Sequence, residues 1–252
     1  MSTAYRDSFG PSATQYVRSA SHADPVSLAR MCALSGASRD RLALDLACGG
    51  GHSTWALAQA GCRVVALDGT PEMLAACGEE GKKRGLTFQR AQGDAHRIPF
   101  RAGTFDIVVC RIAAHHFNNP LAALREISRV MHRKSRFYLF DLSAPDSEPI
   151  GRWLDTVESL RDPSHVCCWS TRAWEGLALG AGLRIVHSAR YRRQYDMAQW
   201  LERMNVEDKV KVEIRERVKA VPPSWWDELS VDLNREPPVF GTPLLEFVAE
   251  KF

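Results

Sequence analysis

No stretch of the 252-residue chain approaches the ~18 consecutive apolar residues that a membrane-spanning helix needs. No membrane span is therefore expected. The opening segment, MSTAYRDSFGPSATQY, lacks the apolar centre of a secretory leader. Neither sign of charge is in excess, since 33 Lys and Arg stand against 30 Asp and Glu for a formal net charge of +3. So small a surplus leaves no electrostatic footprint for nucleic acid or an anionic membrane surface. Cysteine pairs at disulfide or metal-ligand spacing are missing too. The seven cysteines are scattered and odd in number, and adjacent Cys167 and Cys168 are too close for an ordinary structural bridge. Reduced thiols, a cytoplasmic location and no bound metal are the expectation. Internal repeats and low-complexity linkers are absent, and the length suits one sizeable core.

What is present is a regular alternation of short apolar runs and helical segments. RLALDLAC (41–48), CRVVALD (62–68), LTFQRAQGD (86–94), TFDIVVC (104–110), SRFYLFDLS (135–143) and LRIVHSARY (183–191) read as six strands. VFGTPLLEFVAEKF (239–252) supplies a seventh, with Pro243 demoting part of it to an edge or a bend. Helices are expected over 52–60, from Pro71 to about Arg84 with Thr70 as N-cap, over 121–131, over 171–179 and within 196–220. The alternation predicts a Rossmann-like, doubly wound, mostly parallel seven-stranded α/β sheet. Residues 1–36 are expected as a helical N-terminal cover, 37–193 with 238–252 as the core, and 194–237 as a helical insertion acting as a lid.

The stretch LALDLACGGGHST (42–54) ends an apolar run in an acid and three glycines. A dinucleotide site wants G-x-G-x-x-G, and here Gly49 and Gly51 fit while Thr54 takes the third place. The acids matter more. Asp68 ends the second strand, where a carboxylate accepts two hydrogen bonds from a ribose diol. Asp94 ends the third strand on the same edge, placed for an adenine amino group. Asp45 ends the first strand, either positioning the glycine loop or a ligand ammonium, or bonding the local backbone.

DLACGGGHST, ALDGTPEML, GDAHRIPF and FDIVVCRIAAHHF follow one another as do the motifs of class I S-adenosylmethionine (SAM)-dependent methyltransferases. The chain most resembles the "type 11" group, similar to ubiquinone/menaquinone-biosynthesis methyltransferases, over about residues 40–145. The usual G-T-G is Gly49-Gly50-Gly51 here, and the usual K-P-G-G turn is Arg133-Lys134-Ser135-Arg136. The resemblance implies that SAM is the cofactor, with Ala47, Gly69 and Ala95 beside the motif residues. It also implies that Met73 covers the adenine face or belongs to the core, and that the Cys110 and Arg111 carbonyls accept from the SAM ammonium. The absence of D-P-P-Y and N-P-P-Y speaks against amino-methylation of DNA bases.

His115 and His116 follow the fourth strand, where an acceptor would lie, and a histidine titrating near neutrality suits a general base. His165 in RDPSHV is a candidate of the same kind. Tyr5, Phe9 and Tyr16 in the leading segment are candidates to fold over the cofactor, with Tyr16 facing the sulfonium through its ring. Trp225 and Trp226 in PPSWW line an acceptor pocket or bury the insertion. YRRQY (191–195) reads as a solvated strand end. The function implied is methyl transfer to a small organic acceptor by a monomer or homodimer. The alternatives are an enzyme that cyclises SAM to azetidine-2-carboxylate with release of methylthioadenosine, and a SAM-binding protein without catalysis.

Overall fold

The computed structural model of the protein describes residues 16–17, 19, 22–202, 204, 206–235 and 238–252. Tyr5 and Phe9 lie outside the described residues. Seven strands form one sheet in the order β3-β2-β1-β4-β5-β7-β6: β1 (Leu42–Leu46), β2 (Arg63–Asp68), β3 (Gln89–Gln92), β4 (Phe105–Arg111), β5 (Met131–Leu142), β6 (Leu183–Asp196) and β7 (Val239–Lys251). The first five run parallel, and β7 is antiparallel to both of its neighbours.

The central strands β1, β2 and β4 are largely apolar because both faces of the sheet are covered there, while the edge strands β3 and β6 are mostly polar. Leu44, Leu46, Val108, Cys110, Phe137 and Leu139 point to one face, under α4 (Pro120–Val130) and α6 (Thr171–Gly180). Ala43, Val64, Ile107, Val109 and Tyr138 point to the other, under α1 (Pro25–Ser35), α2 (His52–Gln59) and α5 (Glu148–Arg161). This is the period-2 alternation of a strand, used twice. α3 (Pro71–Lys83) packs Leu74 and Cys77 against Ala66. Strand order reverses between β1 and β4, and a crevice opens there at the carboxyl ends of the strands.

Several elements differ from the sequence expectation. β3 is confined to four residues. β5 begins at Met131, so the Arg133–Arg136 stretch is strand rather than turn. Thr70 is the N-cap of α3, but its side chain accepts no capping bond; Asp68 Oδ1 accepts from the Thr70 amide instead, at 2.9 Å. α5 was not expected, although Ile150, Trp153, Leu154 and Val157 stand at helical spacing, because Pro149 and Gly151 interrupt its start. The 196–220 segment divides into α7 (Met197–Glu202) and α8 (Asp208–Lys219).

Pro243 lies inside β7, an internal strand, and pairs with Arg192 of β6. Its carbonyl accepts from the Ser143 amide at 2.9 Å, so its nitrogen also faces β5, which has already ended at Leu142. No ladder donor is lost, and proline is tolerated. β6 and β7 stay paired out to Asp196 and Val239, so the inserted segment is the long tip of a hairpin. It has its own apolar cluster, in which Trp200, Leu201, Ile214 and Val218 meet Ile150 and Val157 of α5 and Phe240 of β7. Trp225 and Trp226 pack at the edge of this cluster.

On the α1 face one buried acid ties the sheet to its cover. Glu246 of β7 is fully buried and accepts from Arg30 Nε at 2.8 and 3.0 Å, Tyr138 Oη at 2.6 Å and Tyr191 Oη at 2.9 Å.

Candidate active site

The crevice at the strand ends is a cavity of about 470 Å³, a size ordinary for a small-molecule site. Ala47, Gly49, Asp68, Gly69, Met73, Asp94, Ala95, Arg111, His115, His116 and Tyr16 all line it. Asp45, Gly51 and Cys110 do not.

The three exceptions have structural causes. Asp45 lies mid-sheet between Ala66 and Val109, and its Oδ2 accepts from Thr54 Oγ1 at 2.6 Å. Burial pushes its carboxyl up to about 7, against the Thr54 bonds. It fixes α2 to β1 and so positions the glycine loop. The residue that breaks the dinucleotide pattern is thus the partner of the first acid. Gly51 has φ +98°, and an added Cβ would strike Cys77 and Trp55, so it serves the turn into α2. Cys110 sits in register with Leu46 and Leu139 with its thiol in the core, pushed up by burial.

At one end of the cavity the two remaining acids are held by backbone. Asp68 Oδ2 accepts from the Gly49 amide and Oδ1 from the Thr70 amide, both at 2.9 Å. The Thr70 hydroxyl and the Gly69 amide also bond this carboxylate. Burial outweighs these bonds and raises the Asp68 carboxyl above its ordinary range. Asp94 Oδ1 accepts from the His96 amide at 2.8 Å and faces His96 Nδ1 at 2.7 Å. Burial opposes these contacts, but they prevail and hold Asp94 below the ordinary carboxylate range.

Arg111 donates from Nη1 to the His22 carbonyl at 2.9 Å and from Nη2 to Ser27 Oγ at 3.2 Å. Its Nε is buried with no partner among the described residues, and burial pulls its pKa down to about 10. Ala47 and Ile112, both on the cavity wall, have φ +56°. For a β-branched residue that is a strained backbone, of the kind that gathers at functional sites. Tyr16 crosses the glycine loop: a Cβ on Gly50 would lie 2.9 Å from the Tyr16 carbonyl carbon and the Val17 nitrogen.

The other end of the cavity carries a buried histidine pair. His115 Nδ1 lies 2.6 Å from Asp141 Oδ1, and Asp141 Oδ2 accepts from the His115 amide at 2.9 Å. Burial works against the imidazolium, but the Asp141 charge and hydrogen bond outweigh it and raise the His115 pKa. Nδ1 is committed, so proton exchange with a ligand falls to Nε2. His116 Nδ1 lies 3.0 Å from the Ser164 carbonyl, which fixes that nitrogen as the donor. Burial, then the charge of His115, pushes His116 down to about 3, so it is neutral near pH 7.

Sequence reasoning missed the wall opposite. Glu158, Arg161 and Asp162 come from α5 and its end, and Arg193, Tyr195 and Trp200 come from β6 and α7. Arg161 pairs with Glu158 at 3.0 Å and lies 4.5 Å over the Trp200 ring. The i,i+3 spacing of Glu158 and Arg161 was the only signal for this wall. Trp225 and Trp226 do not line the cavity, and YRRQY is not a simple solvated end, since Arg193 and Tyr195 face inward while Arg192 pairs outside with Asp227. His165 is not on the wall; it pairs with Asp155.

A family model described as a methyltransferase domain, of type 11, matches residues 44–139. The YafE protein of Escherichia coli is 32% identical over 166 residues, which is 66% of this chain and 80% of that relative. The chain belongs to the class I methyltransferase family. The methyltransferase named YcgJ of Bacillus subtilis is 31% identical over 161 residues, 64% of each chain. The matched region thus spans just under two thirds of that relative's length. The crystal structure of the BH2331 protein from Bacillus halodurans superposes with a TM-score of 0.85 at 29% identity, over 90% of this chain and 99% of that one. The seven-stranded, mostly parallel sheet of this chain is the family's fold. No described helix of it is long and apolar enough to cross a membrane.

Proposed function

We propose that the protein is a SAM-dependent methyltransferase acting on a small organic acceptor. The observation that carries this reading is the cavity lined together by Asp68 at the end of β2, Asp94 just beyond the end of the neighbouring β3, and the glycine loop. The residues present fit the cofactor. Gly49 faces open space where a side chain would otherwise stand, the Asp68 carboxylate on the cavity wall accepts from the ribose hydroxyls, and Asp94 accepts from the adenine amino group. The buried Arg111 Nε is a donor suited to a carboxylate.

When bound, SAM supplies an electrophilic methyl on a sulfonium with a neutral thioether as leaving group. The chain's own contribution is orientation: acids at one end, acceptor walls at the other, so that nucleophile and methyl meet in line. His115, oriented by Asp141, takes a proton at Nε2 from an acceptor that must lose one. Tyr16 covers the loop and limits water.

Calorimetric titration with SAM and S-adenosylhomocysteine tests the assignment. Both bind the wild type, Asp68→Ala weakens both by about 1.5–3 kcal/mol, and NAD gives no heat. Unchanged affinity in a folded Asp68→Ala protein would remove the ribose assignment. Incubation with SAM alone, read by mass spectrometry, leaves SAM intact; enzyme-dependent methylthioadenosine would replace methyl transfer by cyclisation.

A further inference from the structure

Behind the histidine pair, outside the cavity, lies a second group of chemistry-bearing side chains. Asp155 comes from α5, and His165 and Cys168 come from the loop that leads to α6. His165 Nε2 is 2.9 Å from Asp155 Oδ1. A carboxylate oxygen, the imidazole nitrogen and the Cys168 sulfur all lie within 4.8 Å of one another. The His165 and Cys168 side chains are buried, while Asp155 is 28% exposed and opens a way in. Cys167 Sγ adds a second sulfur 3.6 Å from Asp155 Oδ2.

Imidazole, thiolate and carboxylate together are the donor set of a borderline-soft divalent cation. Bond lengths of ~2.0–2.3 Å in tetrahedral geometry put ligand atoms roughly 3.3–3.8 Å apart. The wider gaps of the cluster therefore close by no more than about 1.5 Å while the 2.9 Å His165–Asp155 contact opens slightly, and the loop that carries two of the ligands can supply both. The geometry points to a zinc-type metal site made by Asp155, His165 and Cys168, with Cys167 or a water in the fourth position.

Binding releases the Cys168 thiol proton to solvent. His165 ligates through Nε2 as the neutral ring protonated at Nδ1, giving up its bond to Asp155. The ion takes no part in methyl transfer. It anchors the loop whose Val166 and Cys167 amides donate to the His115 carbonyl at 2.9 and 3.2 Å, and so steadies the backbone of the candidate base. The site stands independently of the methyl-transfer reading.

The test is titration of the chelator-stripped, reduced full chain with Co²⁺ alone. Wild type gives a thiolate-to-cobalt charge-transfer band with intense tetrahedral visible bands, saturating at one ion per chain, and Zn²⁺ bleaches both. Cys168→Ser abolishes the charge-transfer band or, where Cys167 also ligates, cuts it and weakens binding at least ~10-fold. Asp155→Asn, at a partly exposed position, weakens binding to a similar extent and guards against a misfolded Cys168 variant. Cys32→Ser, in α1, changes nothing. A folded wild type with no such band at saturating Co²⁺, or unchanged binding in folded Cys168→Ser and Asp155→Asn, would overturn the proposal and leave a hydrogen-bonded network only.

Discussion

Asp141 holds His115 at both ends, by ring and by amide, and also accepts from the Leu142 amide at 2.7 Å. The pair is buried, so its protonation is a stability matter. His115 has a raised folded-state pKa; its contribution is complete below the unfolded value of ~6.5 and is lost as pH rises through the raised one. In Asp141, burial is outweighed by His115, and the pKa is lowered; its contribution is present above ~3.9 and is lost as pH falls through the lowered value. The pair therefore stabilises most between about pH 3.9 and 6.5. Asp141→Asn is expected to cost about 3–5 kcal/mol in that window, with the gap narrowing at higher pH. Denaturant unfolding across pH checks it, and NMR titration of the His115 ring should show its midpoint falling in the variant. A pH-independent difference between the two proteins would remove the ion-pair account.

At the scale of elements, α5 joins the two halves of the far cavity wall. Its apolar residues Ile150 and Val157 pack on the inserted hairpin tip, and its Glu158 and Arg161 face the cavity. Occupancy of the cavity should then quiet the insertion. Limited proteolysis is expected to cut between 203 and 238, and S-adenosylhomocysteine should slow those cuts; equal rates with and without it would mean that the insertion is no lid. This wall was also the least legible in sequence. β1, β2 and β4 are short apolar runs, and they read directly because both faces are buried. Asp68 read equally well, since a strand end fixes where a side chain goes, and Asp94 lies on the same edge although β3 stops at Gln92. α5 does carry a helical stripe, with Ile150, Trp153, Leu154 and Val157 at i, i+3, i+4 and i+7, but Pro149 and Gly151 at its start obscure it. Trp200 followed from nothing local, because its position depends on how far β6 and β7 stay paired. The Asp155–His165–Cys168 cluster was invisible for the same reason: one ligand sits on the unread helix, and linear spacing of cysteines says nothing of it.

At the scale of the molecule, Glu246 binds α1, β5 and β6 to β7 in one buried knot. Removing its charge leaves Arg30 and two phenols without their acceptor. Glu246→Leu is expected to destabilise the whole fold by about 3–5 kcal/mol, as a cooperative loss seen equally by circular dichroism and tryptophan fluorescence. A separate early transition in one probe would mean that β6 and β7 unfold apart from the rest. The leading segment is attached differently. Tyr16 lines the cavity yet rests on Gly50, where there is room for no side chain at all. Its His52 contact is likewise through backbone, from the ring to the Tyr16 carbonyl at 3.1 Å. Tyr16 is also held by its side chain, whose hydroxyl donates to Met204 Sδ of the inserted segment at 3.4 Å. One residue thus ties the glycine loop to a segment 188 positions further along the chain, and a displacement of either is felt by the other.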